Sequence, residues 1–214
     1  MALELYLHPL SSYCHKALIA FYENGIPFEP KRVDDPAVYA ELKSRWPLAR
    51  FPVLWDAGRG VTIPESSIIV EYLALHYPGP VKLIPDDPDR ALQVRLADRF
   101  FDSYLHTPMQ KFASDRNRPA GERDPHGLEH AKALYRTALD RFESEIADRA
   151  WVMGDDFTLA DCAAGPTLFY GDRFFGPLRE THPRAMAYLE RLKARPSYAR
   201  ALREAEPFMH LLPK

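Results

Sequence analysis

Apolar and polar residues alternate along Leu3-Glu4-Leu5-Tyr6-Leu7, which predicts a half-buried strand ended by His8-Pro9. Ala17, Leu18, Phe21 and Tyr22 then recur at helical spacing, and Gly25 stands where a helix C-terminus favours a left-handed residue. A β-like run from Phe28 to Val33 leads into a short helical stretch from Pro36 to Trp46. Val53-Leu54-Trp55 and Val61-Thr62-Ile63 flank Asp56-Ala57-Gly58-Arg59-Gly60, the pattern of two strands and a hairpin loop. Apolar residues at 68, 69, 72, 73 and 75 predict a helix over 66–77. The order is βαβαββα.

Beyond Tyr77-Pro78-Gly79-Pro80 the period changes. Pro85-Asp86-Asp87-Pro88 is a second group of breakers, so a linker is expected over 78–89, between a domain at 1–79 and another at 89–214. Strand signals vanish after it. Leu96, Phe100, Phe101, Tyr104 and Leu105 fall on one helical pattern, and Leu134, Ala138, Phe142 and Ile146 follow at four-residue steps on another. Pro183 and Pro196 sit where first-turn prolines belong. In Thr158-Leu159-Ala160-Asp161 each end can cap the other, the signature of a helix start, and Pro166 inside that helix predicts a kink. Asp115 to Asp124 reads as a mobile polar segment. The fold class is therefore α/β followed by all-α.

Composition adds mostly exclusions. The 214 residues are 46% hydrophobic and 27% charged, ordinary globular usage that rules out wholesale disorder, collagen and coiled coil. A chain of this length can bury about 70% of its extended surface, so it needs no staples. Twenty-eight basic against thirty acidic side chains give a net charge of −2, and nothing there asks for nucleic acid or an anionic membrane. No run reaches the roughly 18 apolar residues of a membrane span. Cys14 and Cys162 cannot make a disulfide framework, and Met1-Ala2-Leu3-Glu4 lacks the pattern of a signal peptide, so a cytoplasmic protein with free thiols is expected. The 20 prolines are spread as punctuation between short elements.

Three segments carry candidate chemistry. Ser11-Ser12-Tyr13-Cys14-His15-Lys16 lies between the first strand and the first helix, where backbone amides point outward and favour an anion, a thiolate included. Ser11 or Ser12 is at the least an N-cap; Cys14 is either a small buried residue or a redox nucleophile. Arg50-Phe51-Pro52 opens a strand with an X-Pro bond that is able to be cis. Pro64-Glu65-Ser66-Ser67 places a carboxylate and two hydroxyls at a helix start, which serves as a cap or holds a zwitterionic amino-acid head, Ser66 taking the carboxylate and Glu65 the ammonium. His126 and His130 are four apart, but Pro125 and Gly127 weaken the helix they would need, and no metal site is expected.

These segments in this order, followed by Phe157 to Asp161, resemble the soluble glutathione transferase superfamily over nearly the whole chain. The resemblance implies a thioredoxin-like first domain, an all-helical second domain and a homodimer. It implies that Pro52 is cis, that the Phe51 backbone pairs with the cysteinyl part of glutathione and that Glu65 and Ser66 hold its γ-glutamyl end. Ser11-x-x-Cys14 is similar to serine-type members such as the theta and zeta classes. Ser11 then donates to the glutathione sulfur and favours its thiolate. Arg50 stands where Lys or Gln is usual and Trp46 where Asn is common, so Arg50 meets the glycyl carboxylate in a different geometry.

The expected activity is attack of the glutathione thiolate on a small hydrophobic electrophile held against the helical half, with Tyr104, Phe112, Tyr170 and Phe208 as candidate pocket residues, although buried aromatics dominate any helical domain and core is the commoner role for most of them. Isomerisation or dehalogenation with glutathione as cofactor, a non-catalytic binding or scaffold protein, and thiol exchange at Cys14 are the alternatives. Asp102 lies on a helix from which family members reach the partner subunit's glutathione, but a solvated face accounts for its charge as well.

Overall fold

The computed structural model describes residues 3–146 and 149–213. Met1, Ala2 and Lys214, outermost in the two expected domains and in the sequence start read above, lie outside them. The first half is a four-stranded mixed sheet in the order β2-β1-β3-β4, with β1 at Leu3–Leu7, β2 at Glu29–Arg32, β3 at Val53–Asp56 and β4 at Val61–Pro64. β1 pairs parallel with β2, as the crossover through α1 (Ser12–Glu23) requires, and antiparallel with β3; β3 and β4 form the hairpin.

Alternation decides which face each residue serves. Leu3, Leu5, Leu7, Leu54 and Ile63 enter the main core with α1 and α3 (Ser66–His76), whereas Tyr6 and Val53 turn to the other face and pack with Leu42 of α2 (Pro36–Arg45). Nine of the twelve residues of α1 are buried, because it packs on α3, on α7 (Leu159–Phe175) and on α9 (Pro196–Ala205). Gly25 ends it at φ +60°, with the Ile26 amide donating to Phe21 O and the Gly25 amide to Tyr22 O, a Schellman closure.

The remaining elements among the described residues are helices: α4 (Pro88–Phe100), a π-helical turn (Phe101–His106), α5 (Thr107–Arg116), α6 (Pro125–Glu145), α7, α8 (Pro183–Ala194) and α9, with short 3₁₀ turns at Ala120–Glu122 and Glu206–Leu211. Pro88, Pro183 and Pro196 all occupy first turns, where a missing amide is harmless. Thr158 and Asp161 form the capping box of α7, the Thr158 amide donating to the Asp161 carboxylate at 2.8 Å, and the helix continues through Pro166. The polar run from Asp115 to Asp124 is exposed over 116–123 and tied at its ends: Asp115 is buried and accepts from the Asp124 amide at 2.9 Å, while Lys111 pairs with Asp124 at 2.6 Å. One expectation is corrected. Pro125 does not weaken the following helix but opens it as its first-turn residue behind the Asp124 cap, so His126 and His130 do lie on α6. Among the described residues no group of three or more His, Cys, Asp or Glu side chains is placed to hold a metal, and no helix is long and apolar enough to cross a membrane.

Candidate functional site

A cleft of about 800 Å³ opens where the carboxyl-side loops of the sheet face α4 and α5. Its first wall is assembled mainly from three separated segments, Ser11 and Tyr13, then Trp46 and Leu48 to Pro52, then Glu65 and Ser66, with Tyr39 of α2 beside them. All six residues expected to hold glutathione, Ser11, Arg50, Phe51, Pro52, Glu65 and Ser66, line this one cleft.

Local backbone chemistry explains each placement. Ser11 is the N-cap of α1 and accepts from the Cys14 amide at 3.3 Å. A hydroxyl has two lone pairs and one proton, so accepting the capping bond does not use up its O–H, and Ser11 lines the cleft. The Phe51–Pro52 peptide is cis. Glu65 occupies the N-cap position of α3 at φ +70°, a conformation that is costly for a residue with a side chain and that clusters at binding sites. It leaves the Glu65 carboxylate exposed beside Ser66, whose amide lies in the first turn of α3.

Ser12 and Cys14, by contrast, turn away from the cleft. Ser12 is buried and shares a hydrogen bond of 2.6 Å with His106 Nε2, and the Gln110 amide donates to it at 3.3 Å. Cys14 is fully buried, which pushes its thiol up to about 12 despite the Ser11 and His8 contacts. It is uncharged near neutrality, so the reading of Cys14 as a redox nucleophile is corrected.

The second wall consists of Arg99, Asp102, Ser103, Thr107 and Gln110 from α4, the π-helical turn and α5. Behind it lies a charge cluster that the sequence pattern did not reveal. Lys16, 1% exposed on α1, reaches Asp98 at 2.5 Å and Asp102 at 2.9 Å and donates to Ser67 at 2.8 Å. Arg99 completes it with 2.9 Å to Asp98 and 2.8 Å to Asp102. Two cations meet two carboxylates, so the cluster is neutral. Asp102 is thus mostly buried rather than on a solvated face, and burial raises its carboxyl above the usual range against the pull of Lys16. The available signal was a lysine between apolar residues on one helix and two aspartates four apart on another.

The four aromatic residues expected around an electrophile do not meet at the cleft. Tyr104 is 51% exposed, with its ring against Phe100. Phe112 is enclosed by Phe174 and Phe175. Tyr170 is buried and donates to Leu10 O at 2.8 Å. Phe208 lines a separate cavity of about 730 Å³ on the far side of α1, with its ring 5.5 Å from His8. Helical periodicity identified them as apolar but not the side on which each is used; three serve the core or a different surface, and Tyr104 faces solvent.

Comparison with known proteins agrees with this geometry. Family models described as the glutathione S-transferase N-terminal and C-terminal domains match residues 10–76 and 125–191. A crystal structure of a glutathione S-transferase from Methylobacterium radiotolerans in complex with glutathione sulfonate superposes with a TM-score of 0.81 at 30% identity, covering 94% of each chain. Among curated proteins, FtsZ-localized protein A of Caulobacter vibrioides is 29% identical over 97% of this chain and 94% of its own length. A stringent starvation protein A homolog of Haemophilus influenzae is 27% identical over 91% of this chain and 87% of its own.

Proposed function

The chain belongs to the glutathione S-transferase superfamily, and from that premise we propose that it is a glutathione transferase whose catalytic hydroxyl is Ser11. The observation that carries the reading is that residues chosen from three distant segments for three parts of one tripeptide share a single cleft.

Their chemistry fits each part of it. The exposed Arg50 guanidinium suits the glycyl carboxylate; the Phe51 backbone offers peptide pairing to the cysteinyl residue; Glu65 suits the γ-glutamyl ammonium, and Ser66 with the α3 amides its carboxylate. The sulfur then rests at the opening of α1 beside Ser11. A free thiol near 8.5 is only a few per cent ionised at neutral pH, and lowering it by one unit takes about 1.4 kcal/mol. One hydrogen bond to a charged sulfur contributes roughly 1.5–3 kcal/mol, enough to bring it near neutrality.

Ser11→Ala tests this. Conjugation activity is expected to fall about 10- to 100-fold, the range of that one hydrogen bond. The lost cap costs only about 1 kcal/mol, so circular dichroism will report a folded protein. An alanine variant as active as the parent overturns the role of Ser11.

A second reading, a scaffold that keeps the cleft without the chemistry, is favoured by the buried Trp46 indole nitrogen, which has no hydrogen-bond partner among the described residues, and by relatives whose names denote no transferase. No heat of binding at millimolar glutathione would select it. The protein works as a cytoplasmic homodimer in this proposal. The bidentate Arg95–Glu71 bridge ties α4 to α3, and these neighbouring helices expose Leu92, Leu96, Ile68 and Leu75, apolar surface that a second copy would cover. Sedimentation equilibrium giving a monomer would sink that part.

A further inference from the structure

The turn that presents Ser11 has a partner for each of its backbone polar groups. The Ser11 amide donates to His8 O at 2.9 Å, closing a turn with Pro9 and Leu10 at its centre, and the Leu10 amide donates to His8 Nδ1 at 3.2 Å. Pro9 O accepts from His15 Nε2 at 2.6 Å, Leu10 O from the Tyr170 hydroxyl at 2.8 Å, and Ser11 O from the His15 amide at 2.9 Å. A carbonyl only accepts, so neutral His15 carries its ring proton on Nε2; burial pushes this histidine down to about 4 and keeps it neutral.

Among the described residues, every partner but one in this set lies between His8 and His15. Local bonds of that kind shape the turn and travel with it when it tilts. The Tyr170 bond is the exception, because it comes from α7 in the other half of the molecule. Its donor is itself immobile: Tyr170 is buried, with its ring 5.1 Å from Phe169, 6.1 Å from Phe174 and 5.8 Å from His15. Where the bond lands matters as much. Leu10 O and the Ser11 amide belong to one rigid peptide plane, pinned at one end by Tyr170 and at the other by His8 O. Ser11 hangs from that plane at φ −73°, so the tilt of the plane sets the direction in which its hydroxyl leaves the backbone.

Resting on the glutathione reading above, we propose that Tyr170 is a positioning residue for Ser11: by holding the Leu10 carbonyl from the helical half, it keeps the serine hydroxyl aimed at the glutathione sulfur. Part of the acidity of the bound thiol is then set by a side chain that does not line the cleft. Tyr170 transfers no proton in this role; its own proton stays in the bond to Leu10 O. A hydrogen bond to a charged sulfur depends on direction as well as distance, so a small tilt of the turn weakens it without emptying the cleft.

Tyr170→Phe tests this, since it keeps the ring and removes only the donor. With saturating glutathione its conjugation rate is expected to fall about three- to tenfold near pH 6.5, the worth of one ordinary hydrogen bond, and by less than about twofold near pH 9.5, where glutathione ionises unaided. The titration of bound thiolate absorbance should move upward to match, while calorimetric affinity for glutathione stays within about twofold of wild type. In a Ser11→Ala background the same change should cost nothing more, because a residue that acts through Ser11 has nothing left to aim. Phe174→Leu is the control: it removes a ring packed on Tyr170 and leaves the donor, so it should lower the melting temperature without moving the pH profile. An unshifted thiolate titration in Tyr170→Phe, an equal loss at both pH values, a further loss on top of Ser11→Ala, or a Phe174→Leu profile that moves in the same way overturns the proposal and leaves Ser11 and glutathione in place. A Tyr170→Phe chain without native circular dichroism overturns it too, by making the bond a requirement of the fold. Ser11→Ala as active as wild type instead removes the reading on which the proposal rests.

Discussion

The two walls of the cleft are built by different physics. The wall from the sheet half is made of turns and caps: the N-cap serine of α1, the Phe51–Pro52 turn into β3 and the positive-φ Glu65 at the start of α3. Groups of that kind are positioned by backbone geometry, and little else in the sequence can displace them. The wall from the helical half is made of side chains on a continuous helical stripe, backed by a buried ionic cluster that crosses between the halves. The first wall suits a constant ligand. The second can change its chemistry by substitution without altering the fold, so specificity belongs there.

The sharpest way to break this contrast is to remove the charge that holds the walls together. Lys16→Met leaves Asp98 and Asp102 facing each other with only Arg99, and breaking a buried pair from one side costs about 3–5 kcal/mol. Urea unfolding should show that loss; a change below about 1 kcal/mol would mean the cluster is solvated and the second wall is not anchored to α1.

Acid probes the same seam with a smaller effect. Burial pushes His106 down to about 3 and His15 down to about 4, and each is fully enclosed. The unfolded chain takes up protons near pH 6.5 while the folded chain refuses them, so this stability is present above pH 6.5 and is lost as pH falls toward the folded values. By pH 5 each histidine costs roughly 2 kcal/mol. In a His106→Asn protein, the fall in unfolding free energy between pH 7 and pH 5 should shrink by about that amount; an unchanged pH profile would place His106 in contact with solvent.

How much was readable in the sequence follows the same division. Ser11, Pro52 and Glu65 were legible because caps and X-Pro bonds are local signals, and their order along the chain added the resemblance that joined them. The order of elements along the chain and the helical second half followed from periods of two and 3.6. Lys16, Tyr13 and Gln110 were not legible as partners of the site. Their roles arise from contacts between α1 and the α4–α5 segment some 90 residues away, and no local pattern encodes which helix face meets which. The four aromatic candidates failed for the same reason: apolar character is written in the sequence, but the neighbour that uses it is not.

Tyr170 donates to the carbonyl of Leu10, the residue just before the cap of α1. The loop that presents Ser11 is thus propped from the opposite half, while Lys16 of the same helix is neutralised from there. The break in composition near residue 80 is therefore a boundary in the text of the chain and not in its energetics. Either half transplanted alone would bring an unpaired buried charge and an α1 loop without its prop, so the two halves are expected to travel as one unit.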